Sequence, residues 1–297
     1  LRGKGATPKP PPIILGHEPS GIVDAIGVEV SGVNVGARVI IVASVPCMTC
    51  DNCHDGRENL CSNMVVIGAD CDGAFAEYVI APEQAVYTLP DDLPLEDSAV
   101  ITDAVASSYH AVYDIADVQR GDTVVVYGAS GGLGLVCVQL AHALGARVIG
   151  VGRKIWKLDI ARELGASVVI STDEVDRVSR EVRRITGTGA DISIDVTGIP
   201  GMMEEAVKGT RPGGKIVELG FSFDKFELPI NRLMWNELKV MGSKNYNSKD
   251  MPAILSLVQK GVVSLEKLVS HRFKLHDINE AYQMLERGEV LRAIVVS

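Results

Sequence analysis

The sequence predicts an α/β protein with a doubly wound parallel sheet, a β-rich portion before it and a short helical return after it. The central observation is the buried-strand run Thr123–Tyr127, then a glycine-rich turn, then a helix with apolar residues at Leu133, Val136, Cys137, Leu140, Ala141 and Leu144. Strands alternate with helices from there to about residue 242. Before residue 96 the chain is rich in turns, alternates in β fashion and has no long helical period.

In chain order, residues 1–12 are basic, then proline-rich, and read as an extended surface loop. Segments 22–30 and 36–45 alternate as strands, with Gly27, Gly32 and Gly36 marking turns, and 72–79 is again strand-like. Residues 89–94 have a linker's composition, and 95–112 read as a helix. After the strand at 123–127, further strands fit 147–151, 167–170, 191–196, 215–219 and 237–242, with a helix at 154–164. Six strands separated by crossovers imply a parallel sheet of right-handed βαβ units, a complete Rossmann domain. Helices at 249–259 and 276–287 and a closing strand at 292–296 do not continue that alternation and are expected to pack back on the N-terminal part. The expected domains are therefore 1–105 with 246–297, and 106–245.

Composition narrows the function. Of 297 residues, 46% are hydrophobic and 23% charged, as in ordinary globular domains with ample core. A net charge of -9 leaves no electrostatic footprint for nucleic acid. No stretch approaches the roughly eighteen uninterrupted apolar residues of a membrane span, and no signal peptide is visible, so a cytoplasmic location is expected.

The strongest local signal is Cys47, Cys50, Cys53 and Cys61, spaced C-x2-C-x2-C-x7-C. Thiolates that close in sequence can point at one ion, and four complete the tetrahedron zinc prefers, leaving no position for substrate. Two disulfides or unlinked thiols are the competing readings; the lack of a secretory leader favours structural zinc. The intervening Asp51, Asn52, Asp55, Arg57, Glu58 and Asn59 offer no core, so an ion would be the staple.

The turn Gly128-Ala129-Ser130-Gly131-Gly132-Leu133-Gly134 lies where a buried strand feeds an amphipathic helix. There, glycines let the backbone approach a pyrophosphate whose charge meets the positive helix end. The second strand ends Gly152-Arg153-Lys154, with two cations where an NAD site usually carries an acid, so NADP is favoured over NAD. His17 and Glu18 follow a short apolar run; alone, such a pair is more often structural than ligating.

Taken together, Gly16-His17-Glu18-x-x-Gly21-x-Val23, the cysteine lobe, Asp72-Gly73-Ala74-Phe75-Ala76-Glu77-Tyr78, the glycine turn and Gly288-x-x-x-Arg292-Ala293 resemble the zinc-containing alcohol dehydrogenases of the medium-chain dehydrogenase/reductase family. The resemblance spans essentially the whole chain and implies a GroES-like catalytic domain beside the Rossmann domain. It implies that His17 binds a catalytic zinc with Glu18 close by. Asp103, in Asp103-x-x-x-Ser107-x-Tyr109, stands where many relatives place a cysteine ligand, and some NADP-dependent members use aspartate there. Ser107 matches a residue on the nicotinamide side of the cofactor, and Arg292 one near its phosphates.

The family's first zinc ligand and a proton-relay hydroxyl would precede Leu1, so an N-terminally truncated chain is expected, with apolar surface exposed by the loss. The activity implied is zinc-assisted, reversible hydride transfer between a primary or secondary alcohol and NADP(H) or NAD(H). A polyol or sugar dehydrogenase is the nearest alternative, and a non-catalytic dinucleotide-binding protein is the alternative of another class. The family also implies a homodimer or homotetramer joined near residues 230–243.

Overall fold

The computed structural model describes residues 9–297, so the expectation of an extended loop at the start lies largely outside the described residues. The chain divides into two compact units. One takes the chain up to Ala106 together with Asn245–Lys260 and Ser264–Ser297; the other is Ser107–Lys244 with Gly261–Val263.

In the first unit, strands β1 (Ser20–Ile22), β2 (Arg38–Ile41), β3 (Ser44–Val45), β4 (Val65–Val66) and β5 (Val86–Thr88) are short, and helix α1 (Asp51–His54) is a single turn. They form a three-stranded antiparallel sheet in the order β1-β2-β5 and a separate β3-β4 pair. Ile41, Ala43, Ile67 and Ala85 make a small core there, with Val45, Val66 and Val86 packed around it.

Two expected strands fail in this unit. The alternation at 22–30 yields strand only at its start, because Val23 onward turns through Gly27 and Gly36. Residues 72–79 form no strand: Gly73 and Phe75 donate to Ile14 and Leu15 carbonyls at 2.8 Å each, an irregular pairing with the segment before His17. The helix expected at 95–112 is broken into a 3-10 segment (Asp97–Thr102), α2 (Ala104–Tyr109) and a π-helical turn (His110–Ile115).

The second unit fits the expectation closely. It holds β6 (Thr123–Tyr127), α3 (Gly132–Ala143), β7 (Arg147–Gly152), α4 (Ile155–Glu163), β8 (Ala166–Ser171), α5 (Val178–Thr186), β9 (Ala190–Asp195), α6 (Pro200–Gly209), β10 (Thr210–Glu218), α7 (Ile230–Asn236) and β11 (Lys239–Gly242). The sheet runs β11-β10-β9-β6-β7-β8, all parallel. Val124, Val125, Val126 and Tyr127 are fully buried, as a central strand covered on both faces requires. Strand order reverses between β6 and β9, the switch point at which this architecture binds ligands beyond the strands' carboxyl ends.

The chain's last part, in the first unit, adds α8 (Met251–Gln259), α9 (Leu265–Leu268), β12 (His271–Lys274), α10 (Ile278–Glu286) and β13 (Ala293–Val296). β12 and β13 pair in parallel. Among the described residues no helix is long and apolar enough to cross a membrane.

Candidate metal centres and the cofactor turn

His17 is set in place by a glycine knot. Gly16 has a left-handed backbone at φ 101°, and a Cβ there would lie 2.8 Å from Phe75 N. A Cβ on Gly73 would lie 2.3 Å from the Gly16 carbonyl oxygen, so only glycine lets the two segments close. This contact, more than any strand, explains the Asp72-Gly73-Ala74-Phe75 pattern.

The knot delivers His17 to two acids. Its Nε2 stands 3.6 Å from Glu18 Oε1 and 3.6 Å from Asp103 Oδ2. One ligand atom from each of the three residues lies within 4.8 Å of the others. Asp103 caps the 3-10 segment and precedes α2, and the Tyr246 hydroxyl donates to the neighbouring Thr102 carbonyl. The facing Asp103 carboxylate raises the His17 pKa above the ordinary imidazole value despite partial burial. Burial, opposed by Arg292, raises Glu18 above the usual carboxylate range.

Arg292 holds a partner the sequence did not reveal. Its guanidinium donates to both carboxylate oxygens of Glu18, 274 positions earlier in the chain. An imidazole and an aspartate oxygen are donors that zinc accepts. Glu18 is a third, but one already tied to a cation.

The four cysteines converge as their spacing predicts. All are free thiols. Sγ separations are 3.5 Å for Cys50–Cys53, 3.8 Å for Cys50–Cys61 and 3.5 Å for Cys61–Cys47. Sulfurs about 2.3 Å from a central zinc stand about 3.8 Å apart along a tetrahedron's edges, whereas a disulfide needs about 2.05 Å. The lobe therefore fits an ion and not two disulfides. Met48 bends through φ 59° between Cys47 and Cys50, and the Cys47 amide donates to Cys61 Sγ at 3.3 Å.

The thiols differ in proton affinity. The Thr49 hydroxyl brings Cys47 down to about 5, and the Ser62 backbone brings Cys50 down to about 7. Desolvation and neighbouring thiols push Cys53 up to about 12. Such a cluster, part thiolate and crowded, is stabilised by a cation. The lobe is moored from the C-terminal segment: Ser248 N donates to Glu58 Oε2 at 2.9 Å, and Asn59 N to Asn247 Oδ1 at 3.4 Å.

In the second unit the glycine turn lies between β6 and α3, with Gly131 capping a twelve-residue helix. A Cβ on Gly134 would fall 2.1 Å from the Gly128 carbonyl oxygen, so the turn closes on itself only without side chains there. Gly132 and Leu133 open the helix, and the Ser108 hydroxyl donates to Leu133 O at 3.1 Å, tying α2 to the turn. Ser107 is buried beside it on α2. Gly152, Arg153 and Lys154 sit where β7 ends and α4 begins. Lys157, one turn into α4, has its pKa lowered by burial and by the nearby Lys154 and Arg153 charges, so three cations gather at this strand end. The sequence pattern points to Arg153 and Lys154 alone; the fold adds Lys157.

A GroES-like domain with a cysteine lobe and a Rossmann domain with its glycine turn define a class. The sequence pattern of the alcohol dehydrogenase GroES-like domain matches residues 1–91, and that of the zinc-binding dehydrogenases matches 132–260. The chain is 32% identical over 292 residues to a protein described as probable D-xylulose reductase A of Aspergillus fumigatus, covering 96% of this chain and 80% of that one. Among solved structures, an NAD-dependent alcohol dehydrogenase superposes with a TM-score of 0.89 at 32% identity, covering 97% of this chain and 84% of the other. A zinc-binding dehydrogenase from Sinorhizobium meliloti bound to NADP gives 0.88 at 30%, covering 98% and 85%. The chain belongs to the zinc-type medium-chain alcohol dehydrogenase family, a family of oxidoreductases.

Proposed function

We propose that the protein interconverts an alcohol and its aldehyde or ketone by reversible hydride transfer with NADP(H). His17 and Asp103 would hold a catalytic zinc, and Cys47, Cys50, Cys53 and Cys61 a structural one. The observation that carries this reading is the convergence of His17, Glu18 and Asp103, three potential ligands from two distant segments, within 4.8 Å. Zinc at such a place supplies Lewis acidity toward an alcohol or carbonyl oxygen.

The chain's own groups do the rest. His17 Nε2 and the Asp103 carboxylate offer one nitrogen and one oxygen donor, fixed by the glycine knot and the start of α2. Arg292 holds Glu18 in place and offsets its charge, so the acid stands beside the donor pair without leaving an unpaired buried carboxylate. The glycine turn presents backbone N–H groups and the positive end of α3 to a pyrophosphate. Assay of alcohol oxidation with NADP tests the reading; tight cofactor binding without any turnover would favour the non-catalytic alternative instead.

Arg153 and Lys154 support NADP over NAD. Charge-assisted hydrogen bonds contribute about 1.5–3 kcal/mol each, so Arg153→Ala is expected to weaken NADPH binding by roughly tenfold to a hundredfold. NADH binding should barely change. Fluorescence titration of both cofactors checks this, and equal losses for the two would remove the basis for the preference.

The xylulose reductase relatives favour a second reading of the substrate, a polyol or sugar alcohol, on the same scaffold. Initial rates with a secondary alcohol against a polyol decide between them. A homodimer or homotetramer is supported by the open β11 edge and by exposed Ile230, Met234 and Trp235 on α7. Light scattering is expected to give twice or four times the chain mass, and a monomer would contradict it.

A further inference from the structure

Two acids lie side by side on an apolar face of the parallel sheet. Asp195 ends β9 and Glu218 ends β10, and they are direct register partners. They share the face of Val125, Tyr127, Ile149 and Ile216, which Val178, Val182, Met203 and Val207 of α5 and α6 cover. Asp195 is wholly buried. Oδ2 of Asp195 and Oε1 of Glu218 are both buried without a hydrogen-bond partner. The remaining Asp195 oxygen accepts from Thr197 N at 2.8 Å.

Two adjacent carboxylates, each with an orphaned acceptor, cannot both be ionised at small cost. A proton kept on one of the two carboxyls removes the repulsion between neighbouring charges on the same face of the sheet. We propose that the Asp195–Glu218 pair retains one proton and acts as a pH-sensitive latch joining the ends of β9 and β10. Burial and the Asp195 charge push Glu218 up to about 7, and burial raises Asp195 as well.

The groups facing the pair do not replace that proton. Tyr127, next in the same row across the sheet, keeps its phenolic proton through burial, and its hydroxyl is buried without a hydrogen-bond partner, so it does not donate to either acid. From α6, Glu205 accepts from Ser179 N at 2.7 Å and lies near Lys208, which also pairs with Glu204. Arg183 of α5 donates to the Lys208 carbonyl, and Arg232 of α7 to the Val207 and Lys208 carbonyls. Beyond β11, the Ser243 hydroxyl is itself buried without a partner, and Lys244 follows it. Among the described residues neither Asp195 nor Glu218 has an ion pair with any of these cations.

The latch sits where a small displacement would be felt. Leu219 and Gly220 amides both donate to the Asp195 carbonyl, at 2.8 and 3.2 Å. A Cβ on Gly220 would lie 2.0 Å from Gly198 N, so the loops leaving the two strands are in backbone contact. This is the carboxyl end of the sheet, where the architecture receives its ligands.

The direction of the pH effect follows. A carboxyl whose folded pKa lies above its unfolded value binds its proton more tightly in the native state, so stability is greatest at acid pH and declines as pH rises from about 4.5 to about 7. The test is amide hydrogen exchange of Leu219 and Gly220, corrected for the intrinsic pH dependence of exchange, together with melting temperature between about pH 5 and pH 8. Wild-type protection at these two amides and the melting temperature are expected to fall across that range. In Glu218→Gln, which keeps a donor and cannot ionise, the fall in protection at the two amides should disappear and the fall in melting temperature should shrink. Infrared difference spectroscopy of the wild type, with Asp195→Asn as a second variant, should detect a protonated carboxyl at neutral pH that vanishes in either variant. Unchanged pH profiles in Glu218→Gln, or no protonated carboxyl in the wild type at pH 6, would overturn the proposal.

Discussion

Cys50→Ser is expected to lose one zinc per chain and to lower the melting temperature by many degrees. The lobe between Cys47 and Cys61 contains a one-turn helix, a 3-10 turn and few buried side chains beyond Cys53, Asn59 and Cys61. Its local hydrogen bonds, such as Asn52 Nδ2 to Leu60 O at 2.7 Å, cannot by themselves offset the conformational entropy of ordering it. Binding energies of structural zinc in small peptides reach about 10–16 kcal/mol at neutral pH, enough for a bound ion to supply most of the lobe's order. Serine keeps the side chain's size but removes the thiolate. The damage should reach Asn247 and Ser248, which anchor the lobe. Elemental analysis with calorimetry checks both parts; unchanged metal and melting would mean that the cysteines hold no ion.

Asp103→Ala is expected to lower kcat by at least about a hundredfold, a loss that even the outer partners of metal ligands reach. His17 alone would then remain with an acid already committed to Arg292. Because Asp103 is half-exposed and stands at a junction of helical segments, the fold should survive, with Thr102 still held by Tyr246. Asp103→Glu, which keeps an oxygen donor on a longer arm, should retain part of the activity. Steady-state kinetics with zinc content for each variant separates loss of metal from loss of position. Full turnover in Asp103→Ala would exclude this residue from the reaction.

The Rossmann half was nearly all legible in the sequence. Its strands are uninterrupted apolar runs because both faces of a parallel sheet are covered, and its glycine turn lies at a fixed place between strand and helix. The cysteine lobe was legible because its four cysteines are neighbours in sequence. The N-terminal unit was read less well. Residues 72–79 alternate like a strand, yet their partner is a bent segment around Gly16, so backbone pairing is irregular. The helix expected at 95–112 begins just after Pro94, and its Ser98 and Thr102 hydroxyls bond backward to Pro94 and Ala99 carbonyls, favouring the tighter turn. Glu18 with Arg292 and Asp195 with Glu218 are long-range juxtapositions. No local period signals either, although each acid closes an apolar strand run or borders His17.

If hydride transfer here depends on zinc, zinc content and turnover must change together. Elemental analysis of the purified protein, with NADP-coupled alcohol oxidation before and after chelation, is expected to give two zinc ions per chain. Activity should disappear when the more weakly held ion is removed and return when zinc is restored. Undiminished turnover in protein stripped to the cysteine-bound ion, or to none, would contradict the central claim.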